Sequence, residues 1–156
     1  WLHDCVVVAK DSPQRPFASR LAAETAVSFL NSINYPAQYH EAIAHAVAAH
    51  SFSANIPCET VEAQLVQDAD RLDSLGAIGI VRCLQTSVAM KRPLYAAEDP
   101  FCHHREPNDE TAAIDHFYTK LFTLAGTMKT EAGRVEAERR TAVMRDWLRQ
   151  LEGEIG

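Results

Sequence analysis

Several familiar features are missing from this sequence, and each absence removes a class of explanation. No apolar run is long enough to cross a bilayer, and residues 1 to 9 carry an Asp and lack the basic leader and small-residue cleavage pattern of a secretory signal. No CxxC pair occurs among Cys5, Cys58, Cys83 and Cys102. With Cys5 and Cys83 in apolar, helix-like runs, this pattern predicts reduced, buried thiols and a cytoplasmic protein. Basic charge is in short supply: 15 Lys and Arg stand against 21 Asp and Glu, a net −6. A broad phosphate-coating surface and duplex nucleic acid are therefore disfavoured, although a few clustered cations still suffice for one nucleotide or another small phosphorylated ligand. Internal repeats, low-complexity segments and hairpin signals are absent as well.

What remains is 156 residues, 47% of them hydrophobic, which predicts one globular domain over residues 1–156. The chain opens on Trp1 inside "WLHDCVVVA", which reads as the end of a buried helix, so the natural protein is expected to extend upstream. The run Val6, Val7, Val8 suits a strand equally well on propensity alone. "KDSPQRPFAS" marks a loop, and a helix follows from Ala18 or Ser19 to about Asn31, offering Leu21, Ala22, Val27, Phe29 and Leu30 for packing. A second helix over 37–50 places Tyr39, Ile43, Ala46, Val47 and His50 on one face. A long helical pattern then runs from near Glu59 to Met90, with Val61, Leu65, Ala69 and Leu72 as its apolar stripe and Gly76 and Gly79 to bend it or admit a close neighbour. Residues 91–108 hold three prolines and form a long irregular connection of the kind that covers a site. Two further helices are predicted over 109–125 and 130–152. The fold class is all-α, a bundle.

Two features do not fit a plain bundle. His3 and Asp4 sit in an apolar run, where a carboxylate is costly, and "QDADRLD" crowds Asp68, Asp70 and Asp73 onto one amphipathic helix. Asp70 and Asp73, three apart, are neighbours on the helix surface and repel unless solvated, protonated or held by a cation. A wet helix face explains the acidic cluster taken alone. Taken together with His3 and Asp4, an imidazole and carboxylates on separate segments form a ligand set that divalent metals accept.

The ordered set "HD", "HAVAAHSFS", "VQDADRLDSLGAIGI", "DHFYTKL" and "TMKTEAGR" resembles the HD-domain superfamily of metal-dependent phosphohydrolases, and most closely a subgroup of small bacterial single-domain proteins. The likeness spans nearly the whole chain, and "DADRLD" followed by "LGAIG" is its most specific part. It implies an HD-domain helical bundle whose first helix is lacking in this chain. It also implies metal ligands at His3, Asp4 and Asp70, with a further histidine upstream. On a helical wheel Asp68 lies nearer the apolar stripe than Asp70; the family pattern selects Asp70 and leaves Asp68 and Asp73 to orient His3 or an arginine.

The resemblance implies hydrolysis of a phosphate ester or phosphoanhydride by metal-activated water, on a nucleotide or another small phosphorylated metabolite, with Mn²⁺, Mg²⁺ or Fe²⁺ as the metal. Asp4 is then catalytic as well as ligating. Some relatives carry an acid three residues after the dipeptide; that place is Val7 here, which leaves His45 or a water at the metal as proton donor. His50 is either an inward histidine satisfied by a backbone carbonyl or part of the site. Lys10, Arg15, His116 and Lys120 are the cations placed to meet phosphate oxygens, against the ordinary fate of solvated charge. His103 and His104 beside Cys102 lack a second cluster at structural-zinc spacing, and a solvated loop accounts for them. The alternative function is a non-catalytic HD-fold module that binds a nucleotide or a protein, and a third is a helical interaction protein whose acids are simply solvated. No pattern sets an oligomeric state.

Overall fold

A computed structural model describes residues 1–9, 12–52 and 54–155. Among the described residues six α-helices carry the fold: α1 (Ala18–Ser32), α2 (His40–Ala49), α3 (Val61–Leu72), α4 (Gly76–Ala89), α5 (Asp115–Thr119) and α6 (Glu131–Ile155). Among the described residues there is no strand, and no helix is long and apolar enough to cross a membrane. The chain divides into two compact units, Trp1–Asp70 and Arg71–Gly156.

The first unit is held by small side chains. Ala22, Ala23 and Ala26 of α1 meet Val47 of α2, with Leu2, Val6 and Ile43 packed around them. On the other side of α2, Ala46 and Ala49 meet Ala63 of α3, with Ile56, Cys58 and Val66 alongside. Alanine lets the helix axes approach closely, so α2 lies between α1 and α3 with little room for error in volume. The helix α1 ends where "NSINYP" predicts. Asn34 takes a left-handed φ of 55°, and the Tyr35 N–H reaches back to the Leu30 carbonyl at 2.9 Å, closing the terminus as a left-handed cap does. At the start of α3 the Thr60 hydroxyl accepts the Ala63 N–H at 3.2 Å, an N-cap.

The second unit packs Leu75, Ile80, Cys83, Phe101, Ile114, Phe117, Leu124, Met144 and Leu148 into one core, with the rings of Phe117 and Trp147 stacked 5.7 Å apart. Its long connection is pinned by Arg105, whose guanidinium donates to Asp115 Oδ2 at 2.5 Å and Oδ1 at 2.7 Å, while the Asn108 N–H adds a third bond at 2.6 Å. Asp115 is fully buried.

Five expectations need correction, the first being the helix over 109–125, which is the short α5 followed by a 3-10 helix over Leu121–Thr127. Residues 1–9 form turns rather than a helix, since a short stretch with three consecutive β-branched residues cannot offset the cost of helix nucleation. Cys5 is consequently exposed, its Sγ donating to the Ala22 carbonyl at 3.3 Å. The single helix expected over 59–90 is two, because Gly76 adopts a φ of 72° and the Ser74 and Leu75 N–H groups turn back to the Arg71 and Leu72 carbonyls. Finally, α3 is rotated from its apolar stripe. Val61 is 63% and Leu65 52% exposed, while Ala63, Gln67, Asp68 and Arg71 face inward. Small volume at 63 and hydrogen bonds at 67 and 71 outweigh the burial of two larger side chains.

Candidate metal centre

The first unit brings together residues from the chain start, the end of α2 and the end of α3. His3 Nε2 lies 3.6 Å from Asp4 Oδ2 and 3.6 Å from Asp70 Oδ1, and His50 Nε2 lies 3.4 Å from Asp4 Oδ1. The rings of His3 and His50 meet edge to face with centroids 4.8 Å apart. Among the described residues, His3, Asp4 and His50 form a set of metal-type donors whose ligating atoms all lie within 4.8 Å of one another.

Local folding sets each group's orientation. His50 follows the last residue of α2 and is 5% exposed. Its Nδ1 is 2.6 Å from the Val47 carbonyl, which only accepts, so Nδ1 carries the ring proton and Nε2 presents a lone pair. That lone pair faces a carboxylate oxygen. Two acceptors at 3.4 Å repel unless a proton or a cation lies between them. A histidine that donates one nitrogen to a backbone carbonyl and offers the other is the usual form of a metal-ligating imidazole. Ligands about 2.1 Å from one metal at tetrahedral to octahedral angles lie about 3.0–3.5 Å apart, and the 3.4 Å and 3.6 Å separations here fall at or just beyond that range. The donor set of imidazoles and carboxylates thus fits a divalent cation.

His3 thus lies beside both Asp4 and Asp70, and His50 beside Asp4, while the set of mutually close donors holds His3, Asp4 and His50. A backbone carbonyl satisfies one nitrogen of His50, and the other faces Asp4. Asp68 is 2% exposed and engaged in an interaction of its own. Asp73 falls in the second unit, where it is exposed and ion-paired with Arg82. His45 Nε2 accepts the Glu59 N–H at 3.0 Å, tying α2 to the residue two before α3 rather than entering the donor set. Arg15 Nη1 donates to the Val8 carbonyl at 2.8 Å and bridges the turns after the HD pair. Lys10 lies outside the described residues. In the second unit His116 Nδ1 bonds Asp109 Oδ2 at 2.6 Å, and this bond holds the Asp109 carboxyl below its ordinary pKa; Lys120 follows one turn later. His103 and His104 both donate their backbone N–H to Asp99, and His103 Nε2 is 2.7 Å from Glu152. Sequence reasoning passed over Gln67, inside "QDADRLD", because it weighed only the acids there. Gln67 is 3% exposed and donates to the Ala49 carbonyl at 2.7 Å.

Residues 2–75, the stretch that holds His3, Asp4, His50 and Asp70, match the family model of the HD domain. The chain belongs to the HD-domain superfamily. It is similar to YpgQ of Bacillus subtilis, 38% identical over 96 residues that make up 62% of this chain and 41% of YpgQ. The crystal structure of YpgQ in complex with ADP superposes with a TM-score of 0.68 at 30% identity, covering 85% of this chain and 63% of that one. A Lactobacillus plantarum protein gives 0.67 at 33% identity over 88% and 75% of the two chains. An HD-superfamily hydrolase from Bacillus thuringiensis gives 0.67 at 32% over 85% and 61%. The chain thus spans less than two thirds of the length of YpgQ.

Proposed function

We propose that this protein is a divalent-metal-dependent phosphohydrolase acting on a nucleotide or another small phosphorylated metabolite, with His3, Asp4, His50 and Asp70 holding the metal. The observation that carries this reading is His50 Nε2 set 3.4 Å from Asp4 Oδ1 in a cluster with His3, an arrangement that a proton or a divalent cation between the two atoms would join. Membership of the HD-domain superfamily and the hydrolase among its structural neighbours support the reaction class. The ADP held by YpgQ supports a nucleotide as substrate.

A bound Mn²⁺, Mg²⁺ or Fe²⁺ would supply positive charge for a phosphoryl oxygen and acidify water. The chain's own groups do the rest. His3 and His50 offer neutral nitrogens, and Asp4 and Asp70 offer carboxylates from two different segments. In hydrolysis the water oxygen bonds to phosphorus, the bridging P–O bond breaks, and the leaving oxygen takes a proton. His45 Nδ1–H is assigned to hydrogen-bond the leaving oxygen, since Nε2 accepts the Glu59 N–H, and the proton that this oxygen takes is the one the attacking water gives up. Lys10 and Arg15, which follow the HD pair in the sequence, are assigned to the phosphate oxygens, where positive charge stabilises what develops on bond cleavage.

The test is release of phosphate or pyrophosphate from a panel of nucleoside mono-, di- and triphosphates by the full-length protein with Mn²⁺, beside Asp4→Ala. Turnover lost in the variant supports the assignment. Nucleotide binding with equal background rates in both proteins would instead identify a non-catalytic binding module.

A further inference from the structure

We infer that Gln67 is a positioning residue for this metal centre: its amide fixes the end of α2, and with it the His50 imidazole, against the helix that carries Asp70. This inference rests on the metal reading above. Gln67 Nε2 donates to the Ala49 carbonyl at 2.7 Å, and the direction is forced because a carbonyl only accepts. Ala49 is the last residue of α2, and its carbonyl is one of those a helix end leaves without a donor. The Val47 carbonyl, in the same last turn, takes the His50 Nδ1–H. Two open carbonyls of one turn are therefore satisfied by side chains: that of Val47 by the candidate ligand, and that of Ala49 by Gln67 of α3, with the Cys58 thiol as a longer, weaker donor at 3.8 Å. Gln67 precedes Asp70 by three positions, so both lie on one surface of α3. One buried hydrogen bond thereby sets the separation of two ligand-bearing segments.

The other end of the same amide strengthens the case. Gln67 Oε1 is buried without a hydrogen-bond partner. An orphaned buried acceptor is unfavourable, and a methionine of similar volume would avoid it. The neighbouring core of Ala46, Ala49 and Ala63 is apolar and gives no packing reason for an amide. The bond from Nε2 is what a methionine would lose, and it leads to the residue before His50.

The experiment is an electron-paramagnetic-resonance titration of the full-length protein with Mn²⁺, run on wild type, Gln67→Met, Gln67→Asn and Thr141→Val. Thr141 is a second buried side chain whose hydroxyl lacks a partner, in the other unit, and serves as the control for lost core stability. Gln67→Met keeps the volume without the donor. Gln67→Asn keeps the amide one methylene short, about 1.5 Å from reach, and is read if the Met variant does not fold. The expected result is helical circular dichroism in each variant read, Mn²⁺ affinity weakened about 10- to 100-fold at position 67, and affinity unchanged in Thr141→Val. Wild-type Mn²⁺ affinity in the position-67 variants overturns the inference while leaving the metal reading intact. Absence of Mn²⁺ binding by wild type overturns both.

Discussion

His50 divides its two ring nitrogens between tasks: Nδ1 holds the Val47 carbonyl at 2.6 Å, and Nε2 stands 3.4 Å from Asp4 Oδ1. Because the backbone fixes the ring, the imidazole needs no rearrangement to accept a cation. Replacing it by Gln removes the lone pair at that point and leaves a primary amide with a different reach. His50→Gln should therefore weaken Mn²⁺ binding by more than the roughly 10- to 100-fold that loss of an outer partner costs. Calorimetric titration of the variant checks this. Its thermal stability should fall by only about 1 kcal/mol, the value of the Val47 hydrogen bond.

The Arg105–Asp115 pair governs the second unit. Burial pushes the Asp115 carboxyl up, but the Arg105 guanidinium and the Asn108 N–H bind its charged form and hold it below the ordinary carboxylate value. A depressed folded pKa means that the unfolded chain binds more protons. The stabilisation is thus complete above the ordinary value of about 3.9 and is lost as pH falls through the folded value. Melting temperatures measured from pH 6 downward should drop in that acid window, and Asp115→Asn should flatten the drop. Arg105→Ala at neutral pH leaves a buried carboxylate unpaired and should cost about 3 kcal/mol.

Glycine substitutions should split by position. A Cβ at Gly79 would run into the Ser74 carbonyl, which is backbone and cannot yield, whereas one at Gly153 meets nothing within 4 Å. Gly79→Ala should destabilise by about 2 kcal/mol or more. Gly153→Ala, within α6, should stabilise by up to about 1 kcal/mol. Denaturant titrations of the two variants read both signs directly.

Cys102 should be an unreactive thiol. Burial first, and then the Asp115 charge, push its pKa up to about 11. At pH 8 its thiolate fraction is about one in a thousand, so alkylation by iodoacetamide should run about two orders of magnitude slower than for an ordinary free cysteine. Peptide mass spectrometry of timed reactions measures the rate.

The helices were legible where caps and periodicity agreed. The Ala18–Ser32 and Glu131–Ile155 helices fall where Pro, Asn and Thr signals place them. The first nine residues misled because apolar composition predicts burial but not a turn of backbone. The face of α3 was inverted for a related reason: a hydrophobic stripe counts Val61 and Leu65 as core, yet partners for Gln67 and Arg71 exist only in three dimensions. The motif pair His3–Asp4 and Asp70 was readable because its chemistry is written in residue type and order. The place of His50 beside them was not, since it depends on which nitrogen a backbone carbonyl claims.

The central claim is that His3, Asp4, His50 and Asp70 share one divalent cation. Equilibrium binding of Mn²⁺ to the full-length protein, compared with Asp70→Ala at matched helical content, tests it most directly. The account predicts stoichiometric binding by wild type that Asp70→Ala loses. Equal Mn²⁺ binding by the two proteins, or none by wild type, would contradict it.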